Sequence, residues 1–178
     1  MYIGNNPTAL RSMEWFADAI LQLMHDNDYS KINIKDICKK ADLSRQTFYQ
    51  FFSSKEDLIR FCIREHFLCW DAIPCVNDLN EISEQMIKHI SNNKEFIQLL
   101  SRHHLGHILT EELSKNLTII ADKIDPNRDP KTKELAHAFI TAGLSNTFLV
   151  WAENSTNITE NELIHLLFMI LKGKYFKI

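Results

Sequence analysis

The chain has 178 residues, 45% hydrophobic and 24% charged, with a net charge of −3. This balance fits one medium domain, or a small one beside a larger one, in a globular protein and excludes a generally basic nucleic-acid coat. Four Gly are too few to build a Gly-rich phosphate loop, and the four Cys (Cys38, Cys62, Cys69, Cys75) form no CxxC pair. They read as reduced thiols of a cytoplasmic protein. The N-terminus "MYIGNNPTAL" has no basic region followed by an apolar core, so no signal peptide is expected. No apolar run is expected to reach the ~18 residues of a membrane span.

The charge is unevenly spread. Residues 31–55 carry Lys31, Lys35, Lys39, Lys40, Arg45 and Lys55 against Asp36 and Asp42, a net +4 that leaves −7 for the rest. A local basic patch on an acidic body suits contact with a polyanion at one place.

Residues 8–26 place Leu10, Met13, Phe16, Ala17, Ile20, Leu21 and Met24 at helical spacing, which predicts an amphipathic helix. Asn33 with Asp36 forms a capping box for a short helix from Ile34 to about Lys40. "ADLS" is a tight connection in which Asp42 takes a left-handed turn position. Ser44 caps a helix from Arg45 to about Phe52. Ser54 with Asp57 opens another that runs to about Ala72, before Pro74. Helical patterning continues over 79–90, 93–104, 107–124, 131–153 and 159–172, with Gly106 as a break and Thr159 with Glu162 as a last capping box. No stretch alternates with period two. The expected fold is all-α, with about nine helices.

The two short helices joined by "ADLS" have the dimensions of a helix-turn-helix. Ile34, Ile37, Ala41, Leu43, Phe48 and Phe52 fit its small core. Arg45, Gln46, Thr47, Tyr49 and Gln50 are left on the outer face. Arg and Gln can each pair bidentately with a purine edge. Thr and Tyr hydroxyls can donate to phosphate. Lys55, at a helix start, is expected to complete a phosphate clamp, and Lys35 to reach the backbone beside the groove.

At these residues the sequence resembles the TetR family of transcriptional regulators. The family pattern runs small-Gly-Val-Ser-x-Gly-Thr-Leu-Tyr-x-His-Phe-x-Ser-Lys-Glu-Glu-Leu, and this chain has "ADLSRQTFYQFFSSKEDL". The resemblance covers residues 8 to about 70, and more weakly the C-terminal helices. "SRQTFYQFF" is similar to a Ser-Arg-x-Thr-Phe-Tyr variant of small bacterial regulators, some resembling a coactivator of dihydroxyacetone metabolism. Three positions depart from the pattern: Asp42 and Gln46 replace Gly, and Phe51 replaces a phosphate-binding His. Phe51 could instead serve a protein surface.

The resemblance implies a helix-turn-helix DNA-binding domain over 1–54 and a helical ligand-binding and dimerisation domain over 55–178. It implies a homodimer on a pseudo-palindromic operator in double-stranded DNA, acting as a repressor under a small-molecule effector. Arg45, Gln46, Tyr49 and Gln50 would be candidates for base contacts, and Lys35, Thr47, Tyr49 and Lys55 would hold phosphate. A second expectation is a TetR-shaped coactivator that acts through a partner protein and binds DNA weakly.

The last two helices are apolar on more than one face, which calls for a second burial partner. Phe139, Leu144, Phe148, Trp151, Leu163, Leu167 and Ile170 are the expected dimer contacts. Trp70, Phe96 and Phe139, with His103 or His107, are the expected ligand contacts, in a pocket that should be mostly apolar. Cys62 and Cys69 lie about 10 Å apart along a helix, too far to share one ion with His66. The His103, His104 and His107 cluster lacks a matching carboxylate or Cys pair. No metal, no cofactor and no membrane is expected, and without GxSxG, HExxH or paired carboxylates no enzyme either.

Overall fold

A computed structural model describes residues 6–67, 93–124, 129–153 and 157–175. Among these residues there are eight α-helices and no strand: α1 (Pro7–Asp26), α2 (Ile34–Ala41), α3 (Arg45–Phe51), α4 (Lys55–Phe67), α5 (Lys94–Arg102), α6 (Gly106–Ile124), α7 (Pro130–Ala152) and α8 (Glu160–Leu171). A short 3-10 turn, η1 (Tyr29–Lys31), precedes α2. The helix expected over 79–90 and the end of α4 toward Ala72 lie outside the described residues.

The chain divides into two compact units, Met1–Glu65 and His66–Ile178. The first unit therefore extends past residue 54, the boundary expected from the sequence. The reason is α4, whose Leu58, Ile59, Phe61, Cys62 and Ile63 are all buried.

In the first unit α1 packs on α2, and α2 on α3. Four phenylalanines brought together from three helices and the α3 exit form the core. Phe16 meets Phe48 edge-on at 5.2 Å between centroids. Phe48 lies 5.5 Å from Phe52, which lies 5.5 Å from Phe61. Such edge and tilted pairs each add about 0.5–1.5 kcal/mol beyond simple burial.

The second unit packs α7 against α5 and α6. Leu100, Ile108, Leu113, Leu144, Phe148, Leu163 and Leu167 are buried there. Trp151 ties this unit together. Its indole Nε1 donates to the Ile158 carbonyl at 3.1 Å, and Lys94 Nζ stands 4.6 Å over the ring. Next to it, Gln98 Nε2 donates to the Ala152 carbonyl at 2.7 Å.

Expected breaks and caps resolve in detail. The capping box on α8 is present, with Thr159 and Glu162 bonded both ways. Between α5 and α6 the left-handed residue is His104 (φ 58), not Gly106. Gly106 instead opens α6, where a Cβ would stand 2.6 Å from Leu149 Cδ1. Its small size lets the start of α6 lie against α7.

Helix α7 also departs from the expectation that no apolar run reaches membrane length. By length and composition it could cross a membrane, with a mean hydropathy of 1.3 over an 18-residue window that is 33% buried. One such helix is weak grounds for a span, because the core helix of a bundle has the same composition.

Candidate nucleic-acid interface

The helix-turn-helix is built by local caps. Asn33 Oδ1 accepts from Asp36 N–H, and Asp36 Oδ2 accepts from Asn33 N–H, both at 3.1 Å. This reciprocal pair starts α2 at Ile34. Asp42 ends it in the left-handed region, with φ 54 and ψ 39. Leu43 N–H then closes back onto the Cys38 carbonyl at 3.0 Å. Ser44 Oγ accepts from Thr47 N–H at 2.9 Å and starts α3 three residues after the first helix ends.

Helix α3 has seven residues, about 10 Å of length at 1.5 Å per residue. Phe48 and Phe51 are buried, and Arg45, Gln46, Tyr49 and Gln50 are exposed. At 100° per residue the exposed four fall within an arc of about 140°, opposite the two phenylalanines. A helix of this size with one polar face fits a major groove about 12 Å wide. Tyr49, 51% exposed, is braced edge-on against Phe48 at 5.6 Å. Thr47 is half-buried, and its hydroxyl shares a hydrogen bond with Ser44 Oγ at 2.8 Å. Lys35, Lys39 and Lys40 are exposed on α2, the helix that packs against α3.

Lys55 departs from its expected place. Its Nζ donates to the Tyr29 carbonyl at 2.6 Å and the Ile32 carbonyl at 2.9 Å. It also stands 4.2 Å over the Tyr29 ring. Two of its three N–H bonds are therefore spent inside the protein. Residues 29 and 32 lead into α2, and Lys55 follows α3. The ammonium thus clasps the entrance of the helix-turn-helix to its exit. Burial lowers the Lys55 pKa, opposed by the Asp28 carboxylate.

Burial, helped by the Glu56 carboxylate, pushes the Tyr29 hydroxyl up to about 12. A group bound more tightly to its proton when folded loses stability as pH rises from its unfolded toward its folded value. The expected result is a first unit that weakens between pH 10 and about 12. The lowered Lys55 acts in the opposite sense. Urea midpoints across that range should fall less for Tyr29→Phe than for the unaltered chain. Equal falls would contradict the assignment.

Two details of this site were missed from sequence. Tyr29 gave no signal, because its partner is 26 residues away. The reciprocal arm from Asp57 lands on Ser53, not Ser54: Asp57 Oδ2 accepts from Ser53 N–H at 3.0 Å, while Ser54 Oγ accepts from Asp57 N–H. Phe51 is 8% exposed and packs against Phe52 at 6.3 Å. Where the family pattern has His, this chain has a core residue, so Phe51 offers no protein-facing surface.

The expected ligand contacts are not gathered in one place. Trp70 lies outside the described residues. Phe96 and His103 are half-buried, and Phe139 is 80% exposed. An open groove of about 510 Å³ runs along α5, α6 and α7, lined by His104, His107, Thr110, Ser145, Asn146 and Glu153 among others. Of the four expected contacts among the described residues, only His107 lines it.

The expected dimer contacts also separate. Leu144, Phe148, Trp151, Leu163 and Leu167 are at most 4% exposed within one chain. They fill the second unit's own core and have no surface left for a second copy. Phe139 and Ile170 remain outside, joined by Leu135 and Val150. Helix α7 is apolar all round, so its pattern carries no phase to say which face turns inward.

Comparisons with known proteins agree with this architecture. Residues 17–61 match the family profile described as bacterial regulatory proteins, tetR family. Residues 77–173, more than half of the chain, match a transcriptional regulator C-terminal region. The chain is 32% identical over 63 residues to the HTH-type dhaKLM operon transcriptional activator DhaS of Lactococcus lactis subsp. lactis (strain IL1403). That match spans 35% of this chain and 34% of DhaS. Among solved structures, Lin0861 from Listeria innocua superposes with a TM-score of 0.74 at 16% identity, covering 97% of this chain and 96% of that one. A TetR transcriptional regulator from Streptococcus agalactiae 2603V gives 0.63 at 20% identity over 92% and 95%. A dihydroxyacetone kinase operon activator, DhaS, gives 0.57 at 19% over 92% and 98%. At these identities the superpositions speak for the fold alone. With a helix-turn-helix in the first unit and both family regions matched, the chain belongs to the tetR family of bacterial regulatory proteins.

Proposed function

We propose that this regulator binds operator DNA as a homodimer, with α3 of each copy in a major groove. The observation that carries this reading is the exposed quartet Arg45, Gln46, Tyr49 and Gln50 on a helix whose opposite side is locked into a phenylalanine core. Arg45, Gln46 and Gln50 supply base-reading chemistry, and Lys35, Thr47 and Tyr49 supply phosphate contacts. Lys55 acts by closing the clasp. Two-fold symmetry sets the half-sites one helical turn apart, about 34–36 Å, or a multiple.

The sequence resemblance implied a repressor. The DhaS relative is an operon transcriptional activator, which favours the opposite sign; the same binding event activates or represses according to where the operator lies. A partner-dependent coactivator with weak DNA binding is the second reading, motivated by the absence at Phe51 of the family's phosphate-binding His, although Phe51 itself is a core residue with no surface for a partner.

A small-molecule effector is supported by the second unit. The Thr141 hydroxyl is 2% exposed and has no hydrogen-bond partner. A buried orphan hydroxyl costs about 1–3 kcal/mol. A ligand that bonds to it would recover that cost and favour one spacing of the two heads. In the unliganded chain, Thr141→Val should stabilise the second unit by about 1 kcal/mol, read from the urea midpoint. A loss of stability would show that the hydroxyl already has a partner.

The test of the DNA reading is retardation of genomic fragments flanking the protein's own gene. Binding at low salt that Arg45→Ala weakens supports it. No retarded fragment at low salt sinks it.

A further inference from the structure

Helices α6 and α7 meet along a line of hydroxyl groups. Gly106 lies against Leu149, and one turn further along α6, Thr110 Oγ1 stands 3.0 Å from Ser145 Oγ. Four residues forward on α6 therefore match four residues back on α7, which is the register of an antiparallel pair. The next step in this register sets Ser114 across from Thr141. Thr141 carries the buried hydroxyl that has no hydrogen-bond partner. The residues of the first two steps line the groove of about 510 Å3, a size within the ~300–1,000 Å3 of small-molecule sites.

The groove selects by chemistry. Among the described residues its lining includes one acidic side chain, Glu153, and no Lys or Arg. The Glu153 carboxylate opposes an anion, and no Lys or Arg is there to hold one. An ammonium would meet a carboxylate that is exposed and already accepts from Ser101 Oγ, so it gains little. An apolar ligand would strand the hydroxyls, the Asn146 amide and the imidazoles of His104 and His107. The Thr110 and Ser145 hydroxyls point the same way. They make three contacts, with each other and with the carbonyls of Gly106 and Ala142. Each hydroxyl has one proton, so two protons serve three contacts and the pair has room for a donor from outside. A ligand hydroxyl both donates and accepts, whereas a carboxylate only accepts.

We infer that this groove takes a small uncharged polyol or sugar, with one hydroxyl on Thr141 and others on the Thr110–Ser145 pair and His107. The inference rests on the effector reading above and gives that effector a chemical class. Thr141 is 2% exposed, so the ligand reaches it by parting the Thr110–Ser145 contact. Its hydroxyls replace that contact on both sides, and α6 and α7 settle at a new separation. Occupancy of the groove is thereby coupled to the packing of the second unit.

The test is isothermal titration calorimetry on the full chain. Glycerol, ribose and glucitol are the polyol probes, and glycolate, ethanolamine and toluene stand for the anionic, cationic and apolar classes. At least one polyol is expected to give saturable heat with a Kd of about 1 mM or tighter. Thr141→Val and His107→Phe should each weaken it about tenfold, while Thr141→Ser, which keeps the hydroxyl, should stay within about threefold. Urea midpoints check that each variant is folded. A polyol that binds equally well to all three variants overturns the site. Tighter binding of glycolate, ethanolamine or toluene than of every polyol overturns the class and leaves the effector reading standing. If none of the six binds, the class falls as well. Retardation of the operator fragment with and without the low-mass fraction of a cell extract then decides the effector reading: a change keeps it, and no change sinks it too.

Discussion

Lys55→Ala is expected to lower the stability of the first unit by about 2–3 kcal/mol and to leave the salt dependence of DNA binding unchanged. The Lys55 ammonium holds the carbonyls of Tyr29 and Ile32 at 2.6 and 2.9 Å and lies over the Tyr29 ring. Removing it leaves two carbonyl oxygens without their charged donor and loses a cation–π contact of about 0.5–1 kcal/mol. The clasp joins residues on either side of α2 and α3, so its loss loosens the seating of α3 rather than removing one contact with DNA. Affinity should fall for all sequences alike. A lysine on a phosphate behaves differently. Its removal would lower the slope of log K against log salt by about 0.9, with little change in stability. Urea unfolding and a salt titration of binding therefore separate the roles. Unchanged stability with a reduced slope would return Lys55 to the phosphate backbone. Lys35→Ala serves as the contrast, with the slope reduced and stability kept, because Lys35 is exposed.

Arg45→Ala is expected to act on specificity. Arg45 is exposed at the first position of α3. A bidentate arginine on guanine is worth about 1–3 kcal/mol of discrimination at its base pair. The variant should therefore bind its operator roughly 5- to 150-fold more weakly, while binding to unrelated DNA falls far less. Stability should change by no more than about 0.5 kcal/mol, as for other exposed positions. Its charge partly lowers the pKa of the Cys38 thiol, which burial raises. Binding to a set of single-base operator variants measures the effect. An equal loss on every sequence would place Arg45 on the phosphate backbone instead.

Much of the first unit was legible because its signals are local. The Asn33–Asp36 box, the left-handed Asp42 and the Ser44 cap each depend on residues no more than three apart. Their side chains compete for nearby backbone groups whatever the rest of the chain does. The outer face of α3 followed by subtraction once Phe48 was assigned to the core. Long-range pairings were not legible. Nothing near Lys55 announces that its ammonium will meet carbonyls 23 and 26 residues earlier. Phe51 was misread for a related reason. A family pattern with a polar residue there suggested exposure, whereas its place on α3 puts it beside Phe52 in the core.

The second unit was harder because α7 and α8 are apolar on several sides. Periodicity found both helices but could not phase them. Trp151 shows the difficulty. An aromatic near the end of an apolar helix suits an interface, yet its indole N–H is satisfied inside the unit by the Ile158 carbonyl. Tertiary packing decided the phase, and it turned Phe139 outward while taking Phe148 inward. His104 was another miss. A glycine two residues on looked like the natural break, but the chain used a histidine for the left-handed turn and kept Gly106 for a close approach.

The most direct measurement is the mass and footprint of the protein on a retarded fragment from beside its own gene. Two copies per operator are expected, with protected half-sites related by a two-fold axis and centred one helical turn, or a multiple, apart. One copy on a single unpaired site, or protection that Arg45→Ala and Gln50→Ala together leave unchanged, would contradict a dimeric reader working through α3.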